Sequence, residues 1–328
     1  MHNFNYELLF YLVLLVIAIV FAFKAQPRLS NGVKLSLFLL LSMSLSAVVR
    51  LTNFDSDIAV YAEAMQFKVF SFYYLREPVV WLGQRAAFSL FDSEVLVFML
   101  FDFFVFLALY VAFSNYRLPF YAYFSFLCFF PFVLGMQNVY RQWVSAVFCL
   151  LAFSFVYRSY LNRYLAFLVA GLSHNVAGVF ISAFFLLSKS KIEKLAGAFF
   201  LAVTPAIVFF AAGSKSAAST GQNLVVAYLG LLVLFTVFMV LSSRLKIRLY
   251  ERPSYLVICI GIYVSLFAAI FLTSTGAERI AMYSLMLIYP HLVNFFEWHY
   301  KQRFILRILM TIGGFFPILI FGTRSFLV

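Results

Sequence analysis

Ten apolar stretches, each about as long as a bilayer is thick, follow one another at 4–23, 33–49, 95–113, 118–135, 139–157, 195–212, 223–242, 255–273, 280–297 and 304–321. A spanning helix takes ~20 mainly apolar residues. Backbone in hydrocarbon must satisfy its own hydrogen bonds, and uninterrupted apolar runs of this length do so as helices. The pattern predicts an all-α, polytopic integral membrane protein with about 10–12 transmembrane helices. Composition leaves little for anything else. Of 328 residues, 65% are hydrophobic and 11% charged, whereas soluble domains run at roughly 45–50% and about 25%. The whole chain, 1–328, reads as a single transmembrane domain.

Two regions resist a plain spanning assignment. Residues 50–94 hold ten of the 36 charged residues and read as one large outer loop. Within it, Ile58–Phe70 is amphipathic enough to lie along a membrane surface. Pro78, directly after Glu77, suits a helix first turn and predicts a short re-entrant helix over 78–91, with a full span as the alternative. The second region, 161–188, lies between Arg158 and Arg163 on one side and Lys189, Lys191 and Lys194 on the other. One crossing would put a basic cluster outside, against the cytoplasmic bias of Lys and Arg. A hairpin of two short helices, with His174 near its apex, keeps both clusters inside.

The formal charge of +12 then has a topological cause, and nucleic acid is not needed as a partner. Sixteen of the 24 Lys and Arg fall inside, the N-terminus is predicted outside, and the bilayer is the expected environment. The informative cations are those left on the outer side.

Ionisable groups at membrane depth are costly and are functional candidates by default. Arg141 and Gln142 open a predicted span, and Asn138, Gln142 and Ser145 recur at helical spacing as a polar stripe. Arg is shaped to grip phosphate, although an interfacial Arg can also simply snorkel. His174, between Gly171 and Gly178, suits a general base or a donor to an anionic oxygen; capping broken-helix backbone is its plainer role. Asp55, Asp57 and Tyr61 cluster in the outer loop, where a carboxylate can orient or deprotonate a sugar hydroxyl. Arg76 and Glu77 are adjacent and can pair with each other. Arg279, with Tyr283 one turn further on, is a second phosphate clamp or a plain helix-end Arg. Gly313 and Gly314 suggest close helix packing. There is no P-loop, GxGxxG, HExxH or paired-Cys motif, so no nucleotide, metal or other cofactor has a recognisable site. Cys128, Cys149 and Cys259 each sit alone in an apolar run.

The succession of Arg50, Asp55, Asp57 and Tyr61, then Glu77-Pro78, then Asn138 with Arg141-Gln142, then His174 after a basic loop, then Arg279 with Tyr283, resembles the EpsG family. These are polytopic proteins of bacterial exopolysaccharide and O-antigen gene clusters, regarded as Wzy-type polymerases. The resemblance covers about 45–290, and the Arg-Gln pair followed some thirty residues later by His is its most specific part. Family members often carry Gly before Asp-Tyr; here Asp57 is separated from Tyr61, so either Asp55 or Asp57 takes that place.

The resemblance implies a glycosyltransferase of the bacterial inner membrane with its active face periplasmic. Such an enzyme transfers a glycan from undecaprenyl pyrophosphate to a sugar hydroxyl of another lipid-linked repeat unit, building O-antigen, capsule or exopolysaccharide. The sugar–pyrophosphate bond supplies the energy, so no cofactor is implied, and a chain-length regulator is a possible partner. Arg141, Arg279 and Arg76 would hold the pyrophosphate, with Gln142, Asn138, Tyr61 and Tyr283 lining the substrate. Glu77, Asp55, Asp57 and His174 compete for the role of base, His174 also as a phosphate ligand. Two other functions fit an apolar chain with a few cations: a transporter or flippase of lipid-linked oligosaccharide, for which inverted repeats would be expected, and a membrane acyltransferase.

Overall fold

The computed structural model describes residues 6–23, 29–52, 56–66, 71–156, 158–212, 225–242, 252–299 and 303–321. Among these residues every regular element is helical: fifteen α-helices and two short 3-10 turns. Six helices are long and apolar enough to cross a membrane: α1 (Tyr6–Phe23), α2 (Asn31–Thr52), α5 (Glu94–Asn115), α11 (Lys191–Ala212), α13 (Arg252–Phe271) and α15 (Arg303–Phe321). The chain is an all-α, polytopic protein built for a bilayer; the six are counted among the described residues, where the sequence predicts ten spans over the whole chain.

One of the ten predicted spans is interrupted and another is shortened. Residues 118–135 form not one helix but two, α6 (Tyr121–Leu127) and α7 (Phe130–Asn138). Phe129 is extended (ψ 122°) and Pro131 occupies the first turn of α7, where a missing N–H is harmless. The predicted span at 139–157 starts after a second break at Val139 (φ −126°, ψ 56°) and yields α8 (Tyr140–Ser154), 15 residues long. At 1.5 Å per residue that is about 22 Å, short of a ~30 Å hydrocarbon core. Asn138 therefore closes α7 and does not share a helix with Gln142 and Ser145. Broken backbone at membrane depth needs protein around it, and α6, α7 and α8 are buried along nearly their whole length.

α8 packs at the centre of the bundle against α5, α9 (Tyr160–Ser173) and α14 (Ser274–His299). Most of α14 is buried, and polar groups along it bond to the surrounding protein, as where Asn294 donates to the Tyr116 carbonyl at 3.1 Å. After α9, residues 175–180 make a 3-10 turn and α10 (Ile181–Leu186) folds back. Phe184 then stacks on Phe167 at 4.2 Å, and its carbonyl accepts from Arg163. His174 is thus at a turn, with Arg163 at the opposite end of α9. Before α5, the chain forms α3 (Ser56–Gln66), a 3-10 turn (Phe72–Arg76) and α4 (Pro78–Phe91). α4 packs on α3, α5 and α9, which brings the large loop against the hairpin.

Candidate functional site

Glu77, Arg141 and His174 come from three separate segments and meet at one end of the bundle. Each is delivered by a helix terminus. Glu77 precedes Pro78 at the start of α4 and makes no side-chain cap of its own helix, so its carboxylate is available elsewhere. Arg141 is in the first turn of α8, directly after the Val139 break. His174 ends α9 and begins the 3-10 turn.

The Glu77 carboxylate is the hub. Oε2 forms an ion pair with the Arg141 guanidinium. Oε1 accepts from the Asn175 backbone N–H at 3.4 Å and lies 3.7 Å from His174 Nε2. Side-chain exposure is 7% for Glu77, 17% for Arg141 and 20% for His174, so the carboxylate forms the floor and the two bases the open rim. Burial pushes the Glu77 carboxyl above its usual range, with Arg141 pulling the other way.

Aromatic groups fix Arg141. Its Nε donates to the Tyr61 hydroxyl at 2.9 Å and Nη1 to the Tyr73 hydroxyl at 3.5 Å. The guanidinium also lies over the Tyr61 and Trp81 rings, 5.3 and 4.9 Å from their centroids, a favourable cation–π placement. Nη2 takes part in none of these bonds, and guanidinium retains donors there for a planar anion.

His174 has a defined tautomer. Its Nδ1 accepts the Val176 backbone N–H at 3.1 Å, so the neutral ring carries its proton on Nε2, facing Glu77. A ring held this way is a donor at its open nitrogen.

Arg279, in the first turns of α14, lies close enough for its charge to act on His174 alongside that of Arg141. Its carbonyl accepts from Gln142 Nε2 at 2.8 Å, tying α14 to α8. One turn along each helix, Ser145 Oγ donates to the Ala170 carbonyl at 2.8 Å and lies 3.1 Å from the Tyr283 hydroxyl. Tyr283 stacks on Phe180 at 4.8 Å and is fully buried, so it braces α8, the 3-10 turn and α14 behind the site. Asn138 is buried beside Arg279, Thr275 and Glu278 around a small cavity.

The structure thus gathers Glu77, Arg141, His174, Tyr61, Gln142, Arg279 and, behind them, Tyr283. It does not bring in Arg76, which is exposed and lies over the Tyr73 ring at 5.8 Å; Glu77 pairs with Arg141 and not with its neighbour. Asp55 lies outside the described residues, and of Asp57 only its backbone place on α3 is described. Sequence reading missed Tyr73 and Trp81, the other two aromatics at Arg141. It also missed Asp102, which holds Arg50 behind the α7–α8 break. Asp102 carried a signal, a lone carboxylate inside an apolar run, whereas Tyr73 and Trp81 are hidden in a chain with 45 Phe and 20 Tyr. Compared with protein-family models, curated proteins and solved structures, the chain matches none.

Proposed function

We propose that this chain is a polysaccharide polymerase of the bacterial inner membrane, acting on its periplasmic face as the resemblance to the EpsG family implies. It transfers a glycan from undecaprenyl pyrophosphate to the sugar hydroxyl of a second lipid-linked repeat unit. The observation that carries this reading is the Glu77 carboxylate bracketed by Arg141 and His174, with Arg279 at hand. That arrangement sets a proton acceptor beside several cationic or N–H donors.

In this reading the acceptor hydroxyl gives its proton to Glu77 as its oxygen attacks the anomeric carbon. The anomeric C–O bond to pyrophosphate breaks, and the electron pair leaves on the phosphate oxygen. Charge developing there is met by preorganised donors: Arg141, Arg279 and the His174 Nε2–H. The tautomer favours His174 as an anion ligand over His174 as base. A pyrophosphate that draws Arg141 toward itself also loosens the ion pair and leaves Glu77 as an unpaired base. Asp57, four residues before Tyr61 on α3, is a candidate for orienting the acceptor sugar, with Asp55 nearby in sequence.

Deletion of the gene followed by glycan gel analysis tests the reading. The expected result is loss of the long-chain ladder, with single repeat units still reaching the outer surface. Units held on the cytoplasmic leaflet would overturn it in favour of flipping. Restoring wild type must bring the ladder back and Glu77→Gln must not, at equal protein level.

A further inference from the structure

An apolar groove of about 330 Å³ runs between α7, α12 (Val225–Ser242), α14 and α15. Its volume falls within the range of ligand pockets, roughly 300–1,000 Å³. Leu285, Leu292 and Phe296 line it on α14, and Leu309, Gly313 and Pro317 on α15. At its upper end Tyr228 also lines the smaller cavity, about 20 Å³, that holds Asn138, Glu278 and Arg279. That space is enough for one water-sized group. From Arg279 to Phe296 the helix covers roughly 25 Å at 1.5 Å per residue, most of a ~30 Å hydrocarbon core.

Two details point to an occupant. The Tyr228 hydroxyl, on a residue 4% exposed, has no hydrogen-bond partner among the described residues. The other tyrosine of the groove, Tyr289, donates to the Ala122 carbonyl at 3.0 Å. A buried hydroxyl left without a partner is costly, and the residue that carries it lines both the apolar groove and the cavity of Arg279. The second detail is the glycine pair. A Cβ on Gly314 would meet Phe129 at 3.1 Å, so Gly314 does serve close packing, but a Cβ on Gly313 would meet nothing within 4 Å. Gly313 leaves open space in the groove wall that packing does not use.

We infer that the groove seats the chain of a long isoprenoid lipid whose phosphate or pyrophosphate lies at the Tyr228 end, with one phosphate oxygen, about the size of a water, entering the cavity of Arg279. The isoprenoid identity rests on the polymerase reading; the amphipathic character rests on an apolar channel ending in an unpartnered hydroxyl and a guanidinium. Arg279 then joins the channel to the Glu77 site through Gln142, and the lipid bound here is the glycan donor, because its head lies on the pyrophosphate-binding side.

Binding of undecaprenyl phosphate to the purified full chain in lipid nanodiscs, read by native mass spectrometry, tests this without glycan synthesis. Tyr228→Phe should weaken binding about tenfold, the worth of a hydrogen bond to a charged group, while undecaprenol, which lacks phosphate, binds it like wild type. Gly313→Leu should reduce binding of both lipids, and Gly313→Ala, with room for one methyl, should do so much less. Elution as a monodisperse peak with unchanged melting temperature separates occlusion from misfolding. Unchanged binding in Tyr228→Phe and Gly313→Leu, or equal displacement of undecaprenyl phosphate by phosphatidylglycerol, overturns the inference. A chain that binds as expected yet makes no polymer supports the groove and overturns only the polymerase reading.

Discussion

Arg50 of α2 and Asp102 of α5 form an ion pair at 3.0 Å, with side chains only 1% and 0% exposed. Around it, the Tyr140 hydroxyl donates to Asp102 at 2.9 Å, Ser46 donates at 2.6 Å, and Arg50 reaches the Met136 carbonyl at 3.2 Å. Met136 and Tyr140 flank the Val139 break, so the pair pins both sides of the bend that puts Arg141 in the site.

Removing one partner strands a buried charge, a cost of about 3–5 kcal/mol. Asp102→Ala should therefore lower the melting temperature sharply and reduce the folded yield. Arg50→Met combined with Asp102→Leu removes both charges and should recover most of the loss. A double variant as unstable as the single one would show that the pair is not the source of the effect. Thermal unfolding of detergent-purified protein measures this.

How much of this was legible beforehand differs from residue to residue. The apolar runs specify helices and a bilayer because hydrocarbon offers no other partner for the backbone. Pro131 was a visible signal for the break in 118–135. The break at Val139 was not, since Val-Tyr carries no turn chemistry and the bend depends on a carboxylate 37 positions away at Asp102. Glu77, Arg141, His174 and Arg279 stood out singly, each as a polar residue at an apolar helix end. Their pairing did not, because proximity in sequence favours Arg76 as the partner of Glu77, and only the packing of both α4 and α8 on α9 makes Arg141 the nearer cation.

The two jobs of His174 can be separated. Its Nδ1 caps the following turn by accepting the Val176 N–H, and an Asn side-chain oxygen can do the same. Nothing in Asn replaces the Nε2–H that faces Glu77. His174→Asn should fold and insert at wild-type levels while the glycan ladder disappears; His174→Leu should lose both. A full ladder from His174→Asn would reduce this histidine to a cap. Immunoblotting beside the gel gives the two readouts.

Arg141 should not be replaceable by Lys. The guanidinium serves Tyr61 through Nε and both Tyr73 and Glu77 through Nη1, a fork that a single ammonium cannot reproduce. Arg141→Lys is expected to lower polymer output at least about tenfold, since loss of one hydrogen bond to a charged group is worth roughly 1.5–3 kcal/mol. Ladder intensity at matched protein level reports it.

The same pairing gives a pH dependence of known sign. The charge of Arg141 lowers the Glu77 pKa, against the upward push of burial. Taking that charge away in Arg141→Gln must therefore move protonation of Glu77 to higher pH. The neutral acid then persists where the wild-type group is ionised. Infrared difference spectra of the carboxyl stretch, assigned by its absence in Glu77→Gln, follow the titration. A midpoint that stays put or falls would refute the ion pair as the influence that opposes burial at this carboxyl.

Helix approach offers a test apart from chemistry. A Cβ on Gly197 of α11 would come within 2.8 Å of the Leu186 backbone nitrogen and 2.7 Å of its Cγ, whereas a Cβ on Gly171 of α9 meets nothing within 4 Å. Small residues let membrane helices come this close, and backbone, unlike a flexible side-chain end, cannot step aside. Gly197→Ala should cost about 1–3 kcal/mol, the usual range for overpacking. Gly171→Ala should be neutral or stabilise by roughly 0.5–1 kcal/mol through helix propensity. Because α10 follows directly from the His174 turn, loosening its seat on α11 also loosens the backbone N–H of Asn175 that holds Glu77. Gly197→Ala should accordingly lose polymer at temperatures where Gly171→Ala still makes a full ladder, and equal melting temperatures for the two would show that the close approach of α10 and α11 does not exist.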